Sequence, residues 1–397
     1  MNRSTINIVF TALAACITAA GCAQKVESDA HAEAKLYFDS WMQVHYPQLE
    51  KTGLGIYIIP ELDDITEEGK LEPVADSQYV YVSYTARNLE GSVTEYTEEE
   101  TARMLGDYVK GSNTYYGPKV FRRSSGFMYA GVNEMFTGMG KGDSRTAVIP
   151  GWLMTYNWLG SEQEFVENSS GTNSIYEIKV VDPIDNIEQW QIDSIGRFLS
   201  GGYIDNDFGY LSKDLGQYLS DNNMSSAKDS SDFYGFYFIE IKHGEELEKD
   251  SSDDDDSGTD SGSDGYNWDE SHFFTTSGQN DTTIYINYVG RLLNGTVFDT
   301  NIQRVAQDNG LSGGSYTPAA IQWGDDYSSI QMTTDGSSTG SSVIQGFAMT
   351  LWRMHPFGKA IGIFYSNLGY GVQGSGEAIP PYSPLMFEIE IVEKPED

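Results

Sequence analysis

SVIQGFAMTLWRM, at residues 342–354, decides the predicted fold of this chain, together with AIPPYSPLMFEIEIVE at 378–393 and TIYINYVGRLLNGTVFD at 283–299. A strand-like segment that ends in LGYG, followed by a glycine-rich loop, connects the first two stretches. All three stretches are rich in aromatic and aliphatic side chains and poor in acid–base groups. This composition predicts an apolar pocket that binds a substrate and changes its shape, rather than a site that makes or breaks covalent bonds.

The same succession of elements occurs twice along the chain, and the first copy is the weaker one. Each copy begins with apolar residues at helical spacing. The first such stripe, in residues 32–46, comprises Ala34, Tyr37, Phe38, Trp41 and Val44, and the second, in residues 184–200, comprises Ile192, Ile195 and Leu199. Each stripe is followed by a strand (GLGIYIIPE or FYGFYFIEI) and by an alternating strand with a tight turn, around Tyr84 or Tyr288. A glycine-led helix at 131–142 or 346–358 and a final strand at 174–182 or 384–393 complete each copy.

This repeat predicts an α+β fold made of two units. Each unit is expected to be a twisted antiparallel sheet packed on a short helix, with an added N-terminal helix. In the second copy, Asn294-Gly295 predicts a type I′ hairpin, because both turn residues of that type need positive φ. The predicted division of the chain is a signal segment (1–21), a polar tether (22–31), a first unit (32–182) and a second unit (183–397) that contains an acidic loop (245–265).

The N-terminus predicts export and a lipid anchor. A positive start at Arg3 precedes an apolar run from Ile8 to Ala20, which is shorter than the roughly 20 residues that span a bilayer. The run is typical of a secretory signal, and Ala19-Ala20-Gly21-Cys22 resembles a bacterial lipobox in which Cys22 is lipidated. The alternative is an ordinary signal with a chance cysteine. Since the other cysteine, Cys16, lies within the signal, we expect no structural disulfide.

Charge excludes some partners. The chain has 24 Lys and Arg against 59 Asp and Glu, a net charge of −35, so it repels nucleic acid phosphates and anionic lipid. Nucleic-acid binding is therefore not expected, and membrane association is expected from the anchor alone. The acidic loop at 245–265 lacks the ligand spacing of an EF-hand, which predicts a solvated, self-repelling segment, with a weak calcium site as the alternative.

Other chemistries have little support in the sequence. The five histidines (His31, His45, His243, His272 and His355) are scattered, with no metal-ligand spacing. No serine elbow and no phosphate loop is present. The sequence therefore predicts neither a metal nor a cofactor.

The second unit resembles an FKBP-type peptidyl-prolyl cis-trans isomerase. That family's motifs have matches, in the family's order, in Tyr288-Val289-Gly290, Asn294-Gly295, Phe298-Asp299, Val343-Ile344-Gln345-Gly346-Phe347, Tyr370-Gly371, Ile379-Pro380-Pro381 and Leu385-Met386-Phe387. The resemblance covers about 283–393, plus the earlier strand at 233–241. It implies a pocket in which Tyr288, Phe298, Phe347, Tyr370, Ile379 and Phe387 hold a proline ring, with Val343 in the same helix start. It further implies that the Ile344 N–H and the Tyr370 hydroxyl donate to the substrate, and that Asp299 orients polar groups.

Three departures from the family pattern stand out. Phe347 replaces the tryptophan of the pocket floor, which keeps the floor apolar but removes the indole N–H. The insert between Asp299 and Val343 is long, so the pocket residue of the preceding strand has only candidates: Trp323, Tyr327 and Ile330. In the first unit the Phe-Asp pair falls on Thr94-Glu95 and the floor position on Val132, which implies an FKBP-like fold without a competent pocket. An unrelated α+β domain is the alternative for that unit.

The resemblance implies a folding helper of the cell envelope that isomerises X–Pro bonds in proline-containing polypeptides. Such a reaction needs no nucleophile, because the barrier of about 18–20 kcal/mol comes from lost amide resonance. A dry aromatic pocket that favours the twisted amide is sufficient. A non-catalytic peptide-binding or chaperone lipoprotein is the alternative, and a lipid-tethered structural subunit has no positive feature in its favour. By resemblance to sorted lipoproteins, Ala23 after the cysteine predicts the outer membrane, with the face left open.

Overall fold

The computed structural model describes residues 30–109, 113–199, 235–244, 283–323, 326–333 and 340–395. The predicted signal, most of the tether and the acidic loop lie outside the described residues. The α-helices are α1 (Ala30–His45), α2 (Glu67–Leu71), α3 (Glu99–Leu105), α4 (Ala130–Met135), α5 (Glu162–Asn168), α6 (Ile187–Arg197), α7 (Gln303–Asp308) and α8 (Gln345–Trp352). Short 3-10 turns occur at Pro60–Leu62, Gly151–Leu153, Tyr327–Ser329 and Ser366–Leu368. No helix in these ranges is long and apolar enough to cross a membrane.

The strands form two antiparallel sheets. They are β1 (Tyr57–Ile58), β2 (Tyr79–Arg87), β3 (Val93–Tyr96), β4 (Lys119–Arg122), β5 (Ser144–Ile149), β6 (Ser174–Ile184), β7 (Phe236–Lys242), β8 (Thr283–Leu292), β9 (Val297–Thr300), β10 (Ala319–Gln322), β11 (Gln331–Thr333), β12 (Ser341–Ser342), β13 (Lys359–Phe364) and β14 (Leu385–Val392). The first sheet has the order β1-β5-β6-β2-β3, with β4 also paired to β2. The second has the order β7-β13-β14-β8-β10-β11-β12, with β9 also paired to β8.

The two sheets share one topology. Each strand of the first sheet has a counterpart in the second. The path β1-β5-β6-β2 corresponds to β7-β13-β14-β8, and β3 and β4, which both pair with β2, correspond to β9 and β10, which both pair with β8. The predicted α+β class is therefore confirmed. Strand β5 is an element that the sequence patterns did not predict, although its counterpart β13 falls in the strand-like segment before LGYG. The boundaries proposed for the units stay predictions.

The hairpins of the two units are built alike, and they correct one prediction. In the second unit the N–H of Gly295 donates to the carbonyl of Leu292, and Gly295 has a φ of 94°. Asn294 is not among the residues with positive φ, so the turn is not type I′. It is a turn with a left-handed glycine at its end and a β-bulge between Gly290 and Arg291. In the first unit Gly91, with a φ of 87°, donates in the same way to Asn88.

Helix α8 is the centre of the second core. Its residues from Gly346 to Leu351 are all buried, because the helix packs on β13 and on the 3-10 turn at Tyr327–Ser329. The Cα of Gly346 lies against the ring of Phe364: a Cβ at this position would fall 2.3 Å from the ring. Only a residue without a side chain lets the helix approach the strand this closely.

The N-terminal helices of the two units differ in how well the sequence predicted their buried faces. In α6 the predicted stripe is correct, because Ile192, Ile195 and the following Leu199 are buried against β7, β13 and β14. In α1 it is partly wrong. Phe38 is buried, but Tyr37 and Val44 are exposed, and Met42, which the stripe omitted, is buried instead.

Two helical glycines give a matched test of this packing. We expect Gly346→Ala to lower the free energy of unfolding by about 1–3 kcal/mol, because the added methyl overpacks the contact with Phe364. Gly196→Ala in α6 is the control, because a Cβ there meets nothing within 4 Å. It should stabilise by about 0.5–1 kcal/mol through helix propensity. Urea unfolding of the two variants measures both; equal effects would contradict the assignment of Gly346 as a close contact.

Candidate functional site

The ring of Phe387, on β14, is the centre of an aromatic cluster in the second unit. It meets Phe347 edge to face with ring centroids 5.0 Å apart, and Phe298 in the same manner at 5.5 Å. On another side it stacks on Phe364 at 6.0 Å. Phe387, Phe347 and Phe298 are each at most 5% exposed. Side chains from β14, α8, β9 and β13 thus converge on one apolar region.

A missing side chain makes room for this cluster. Gly290, on β8, pairs with Phe387 on one neighbouring strand and with Asp299 on the other. A Cβ on Gly290 would lie 2.6 Å from the ring of Phe298 and 2.9 Å from that of Phe387. The glycine therefore lets both rings lie directly over β8.

A polar edge borders the aromatic cluster. The hydroxyl of Tyr288, on β8, donates to Asp299 Oδ2 at 3.0 Å, and the tyrosine ring meets Phe347 edge to face at 5.8 Å. Burial, and then the negative charge of Asp299, raise the pKa of Tyr288 above its ordinary value. The same two causes, in the same order, raise the pKa of Tyr370. Tyrosine is protonated at neutral pH even at its ordinary pKa, and both shifts act in the same direction. Tyr370, which is 38% exposed, can therefore donate a hydrogen bond to a bound molecule.

The start of α8 presents backbone to this region. Ile344 is the N-cap of the helix, with extended φ and ψ of −64° and 148°. Its own N–H lies before the first helical turn and is not one of the intrahelical donors. Val343 and Ile344 are partly buried against the cluster that contains Phe347 and Phe387. An N–H at this place can bind a carbonyl oxygen from outside the chain.

The loop after Tyr370 is held in a fixed shape. The N–H of Ser375 donates to the carbonyl of Ile379, and the N–H of Ile379 donates back to Ser375. Tyr382 N–H donates to the carbonyl of Gly371, which closes the loop at its base. Ile379 is 4% exposed and belongs to the same buried cluster as Phe387.

Of the residues singled out from sequence, the structure joins most and separates others. Ring contacts or hydrogen bonds connect five of them: Tyr288, Phe298, Asp299, Phe347 and Phe387. Three more pack on the same cluster: Val343, Ile344 and Ile379. Tyr370 is close enough to Asp299 for the carboxylate charge to raise the pKa of the tyrosine. Trp323 instead stacks on Trp352, the last residue of α8, with centroids 5.3 Å apart. Ile330 is 1% exposed within the core, and Tyr327 is partly buried against it.

The equivalent place in the first unit has a different lining. Strand register puts Ala86 where the second unit has Gly290, and Tyr176 where it has Phe387. Thr94-Glu95 occupies the positions of Phe298-Asp299, as the sequence predicted. Tyr84 stacks on Tyr176 with centroids 6.0 Å apart. The first unit thus replaces three phenylalanine positions with threonine, valine and tyrosine.

A segment of the first unit reaches the site, and sequence reasoning missed it. Asn113 Nδ2 donates to the carbonyl of Phe298 at 2.6 Å, and the N–H of Tyr115 donates to the carbonyl of Glu377 at 2.8 Å. The side chain of Tyr115 packs against the core of the second unit. The segment therefore links β9 to the loop after Tyr370. Tyr115 also lines a cleft of about 590 Å³ between the units, with Trp190 and Pro380 among its other walls. No pattern in the sequence signals these contacts.

Comparison with known proteins gives a consistent result for the C-terminal region. Residues 326–392 match the family model described as FKBP-type peptidyl-prolyl cis-trans isomerase. A probable FKBP-type peptidyl-prolyl cis-trans isomerase of Haemophilus influenzae is 28% identical over 123 residues, which are 30% of this chain and 39% of that protein. An FK506-binding protein of Neisseria meningitidis serogroup A is 29% identical over 109 residues, covering 28% of this chain and 76% of that protein. The chain spans 39% and 40% of the length of the first two curated relatives it matches.

Solved structures with similarity to this chain include FkpA from Escherichia coli and the three FKBP domains of wheat FKBP73. The first is 19% identical, covers 47% of this chain and 74% of its own, and has a TM-score of 0.25. The second is 16% identical, covers 86% of this chain and 95% of its own, and has a TM-score of 0.24.

The contact made by Tyr115 is testable by hydrogen exchange. Tyr115→Ala keeps the backbone N–H that donates to Glu377 but removes the side chain that packs against the second core. Because that packing is lost, we expect the amides of Ser375, Ile379 and Tyr382 to exchange at least about fivefold faster, which corresponds to roughly 1 kcal/mol of lost local protection. Tyr116→Ala is the matched control, because the ring of Tyr116 contacts rings of the first unit: it stacks on Tyr96 and lies tilted against Tyr108. If both variants leave this loop unchanged, Tyr115 does not support it.

Proposed function

We propose that this chain isomerises X–Pro bonds in polypeptides, because its residues 326–392 match the model of the FKBP-type peptidyl-prolyl cis-trans isomerase family and a probable isomerase of that type is 28% identical over 123 residues. The observation that carries the proposal is the contact of Phe387 with Phe347 and Phe298 over Gly290, next to the pair of Tyr288 and Asp299. The proposed substrates are exported proteins whose folding rate is limited by the isomerisation of X–Pro bonds.

The reaction is a rotation, and the pocket is suited to a rotation. A planar amide carries charge separation that water solvates, whereas a twisted amide has lost it. An apolar enclosure therefore favours the twisted form relative to water, without any covalent step. Phe387 and Phe347 offer the proline ring an apolar surface, and the exposed Asp299 stays at the edge where the carbonyl turns.

Hydrogen bonds would hold the chain on either side of the proline. Tyr370 is protonated at neutral pH, and its raised pKa extends that state to higher pH, so its hydroxyl can donate to a substrate carbonyl. The Ile344 N–H offers a second donor at the start of α8. With both ends of the peptide fixed, the barrier is crossed by rotation about one bond.

A second candidate function is peptide binding without catalysis. Phe347 in place of the family's tryptophan removes an indole N–H from the floor, and the cleft between the units offers Tyr115 and Trp190 to an extended chain. A binding or chaperone role would use these surfaces without lowering the isomerisation barrier.

The location of the protein is a further part of the proposal. Residues 1–22 support an exported lipoprotein anchored through Cys22, and Ala23 supports the outer membrane. A net charge of −35 gives the folded units no attraction to anionic lipid, so the anchor would carry the membrane association.

The activity is tested with the full chain and a short X–Pro peptide. We expect acceleration of cis-to-trans isomerisation, and a loss of at least about tenfold in kcat/KM, or 1.4 kcal/mol, in both Asp299→Val and Phe387→Ala. Glu95→Val and Tyr176→Ala change the equivalent positions of the first unit and should retain full activity. If the folded wild-type chain gives no acceleration, peptide binding without catalysis becomes the proposed function. If the first-unit variants lose activity, the active site lies in the first unit instead.

The anchor is tested in a bacterial host that processes lipoproteins. We expect the wild type to incorporate labelled fatty acid and to sediment with membranes, since Cys22 carries the lipid. Cys22→Ser should abolish both, while Cys16→Ser, which changes the cysteine inside the signal, should abolish neither. Labelling that persists in Cys22→Ser would contradict the lipoprotein proposal.

A further inference from the structure

Three side chains outside the pocket bring one carboxylate and two imidazoles together. Glu240 and His243 lie at the end of β7, and His355 lies in the turn between α8 and β13. One ligand atom from each lies within 4.8 Å of the other two. His243 Nδ1 is 3.1 Å from both carboxylate oxygens of Glu240, and the two imidazole rings have centroids 3.9 Å apart.

These separations are close to those of a coordinated ion. Zinc binds imidazole nitrogen and carboxylate oxygen at about 2.0–2.2 Å, which places tetrahedral ligand atoms about 3.3 Å from each other. The pair of Glu240 and His243 is already at that spacing. The third ligand atom, from His355, lies within 4.8 Å of the other two, so side-chain rotation of about an ångström would bring all three to that spacing.

The backbone holds the two histidines in register. A Cβ on Gly244, the residue after His243, would lie 2.3 Å from the carbonyl oxygen of Pro356, the residue after His355. A Cβ on Gly358 would lie 2.9 Å from the carbonyl oxygens of both His243 and His355. The two turns are therefore in backbone contact, so the approach of the imidazoles does not depend on the side chains alone.

We propose that Glu240, His243 and His355 form a binding site for a divalent transition metal ion, with zinc the best match. Two imidazoles and one carboxylate suit zinc, whereas calcium takes six to eight oxygen ligands. His243 is exposed, so an ion can reach the three side chains from solvent. The nearby cation of Lys359 is paired with Glu388 at 2.5 Å, which reduces its repulsion of an incoming ion.

The ion would join two parts of the second unit. Strand β7 ends the described sheet on one side, paired only with β13 among the described strands. His355 follows α8, whose first turn carries Phe347. A bound ion would tie the end of this strand to the end of the helix, and because it binds only the folded state, it would raise the melting temperature.

The probe is zinc, titrated into the full chain with a competing chelator to measure stoichiometry and affinity. We expect one equivalent bound and a rise in melting temperature. In His243→Ala the affinity should fall at least about 100-fold, since loss of a direct ligand exceeds the 10- to 100-fold cost of losing an outer partner. His243 is exposed, so this variant should fold; His355→Ala gives the same test from the other turn.

His45→Ala is the matched control, because His45 stacks on Trp41 in α1 and should leave zinc binding unchanged. A calcium titration is the second control, and it should produce no competition for the zinc equivalent. The proposal is overturned if the wild type binds no stoichiometric zinc, if the His243→Ala and His355→Ala variants bind it as tightly as the wild type, or if calcium displaces it.

Discussion

The contact between the ring of Phe387 and the bare Cα of Gly290 is the constraint on which the second unit depends. A Cβ on Gly290 would come within 2.9 Å of Phe387 and 2.6 Å of Phe298, so any other residue would push both rings off the sheet. Phe387 also meets Phe347 on α8 and stacks on Phe364. The position of α8, and with it that of its N-cap Ile344, which packs on the same cluster, therefore depends on the absence of a side chain at Gly290.

The first unit has the same strand order without the contact between a glycine and a phenylalanine ring at this position. Its strand order and hairpin are those of the second unit, but Ala86 stands in place of Gly290 and Tyr176 in place of Phe387. Tyr176 stacks on Tyr84 and reaches Glu95 at 3.5 Å. The strand order is set by backbone pairing and by buried aliphatic residues, which both units retain, whereas the aromatic cluster is set by a few residues at fixed register. The fold and the lining of the candidate site can therefore change independently along one chain.

Sequence patterns predicted what depends on local order and missed what depends on distant partners. The α+β fold followed from the repeat, because strand alternation and turn glycines are local signals. The placement of Thr94-Glu95 followed from the family resemblance, and the strand register agrees with it. The type I′ turn failed because a β-bulge shifts the register beside Gly290, which two turn residues cannot reveal. Trp323 could not be placed because a long insert separates it from Val343, and stacking on Trp352 decides its position. The cluster of Glu240, His243 and His355 was also missed, because His355 lies far from the other two residues in the sequence and only the folded structure brings them together.

The contacts between the two units were the least predictable from the sequence. They connect the first unit to the candidate site of the second. Asn113 donates to the carbonyl of Phe298, which belongs to the short strand β9, while the N–H of Tyr115 donates to Glu377. Both acceptors belong to segments beside the aromatic cluster: Phe298 precedes Asp299 in the chain, and Glu377 follows Tyr370. A short strand and a loop have few hydrogen bonds of their own, so external donors change their mobility more than they would change a central strand. The first unit therefore supplies hydrogen-bond donors to two segments that flank the candidate site.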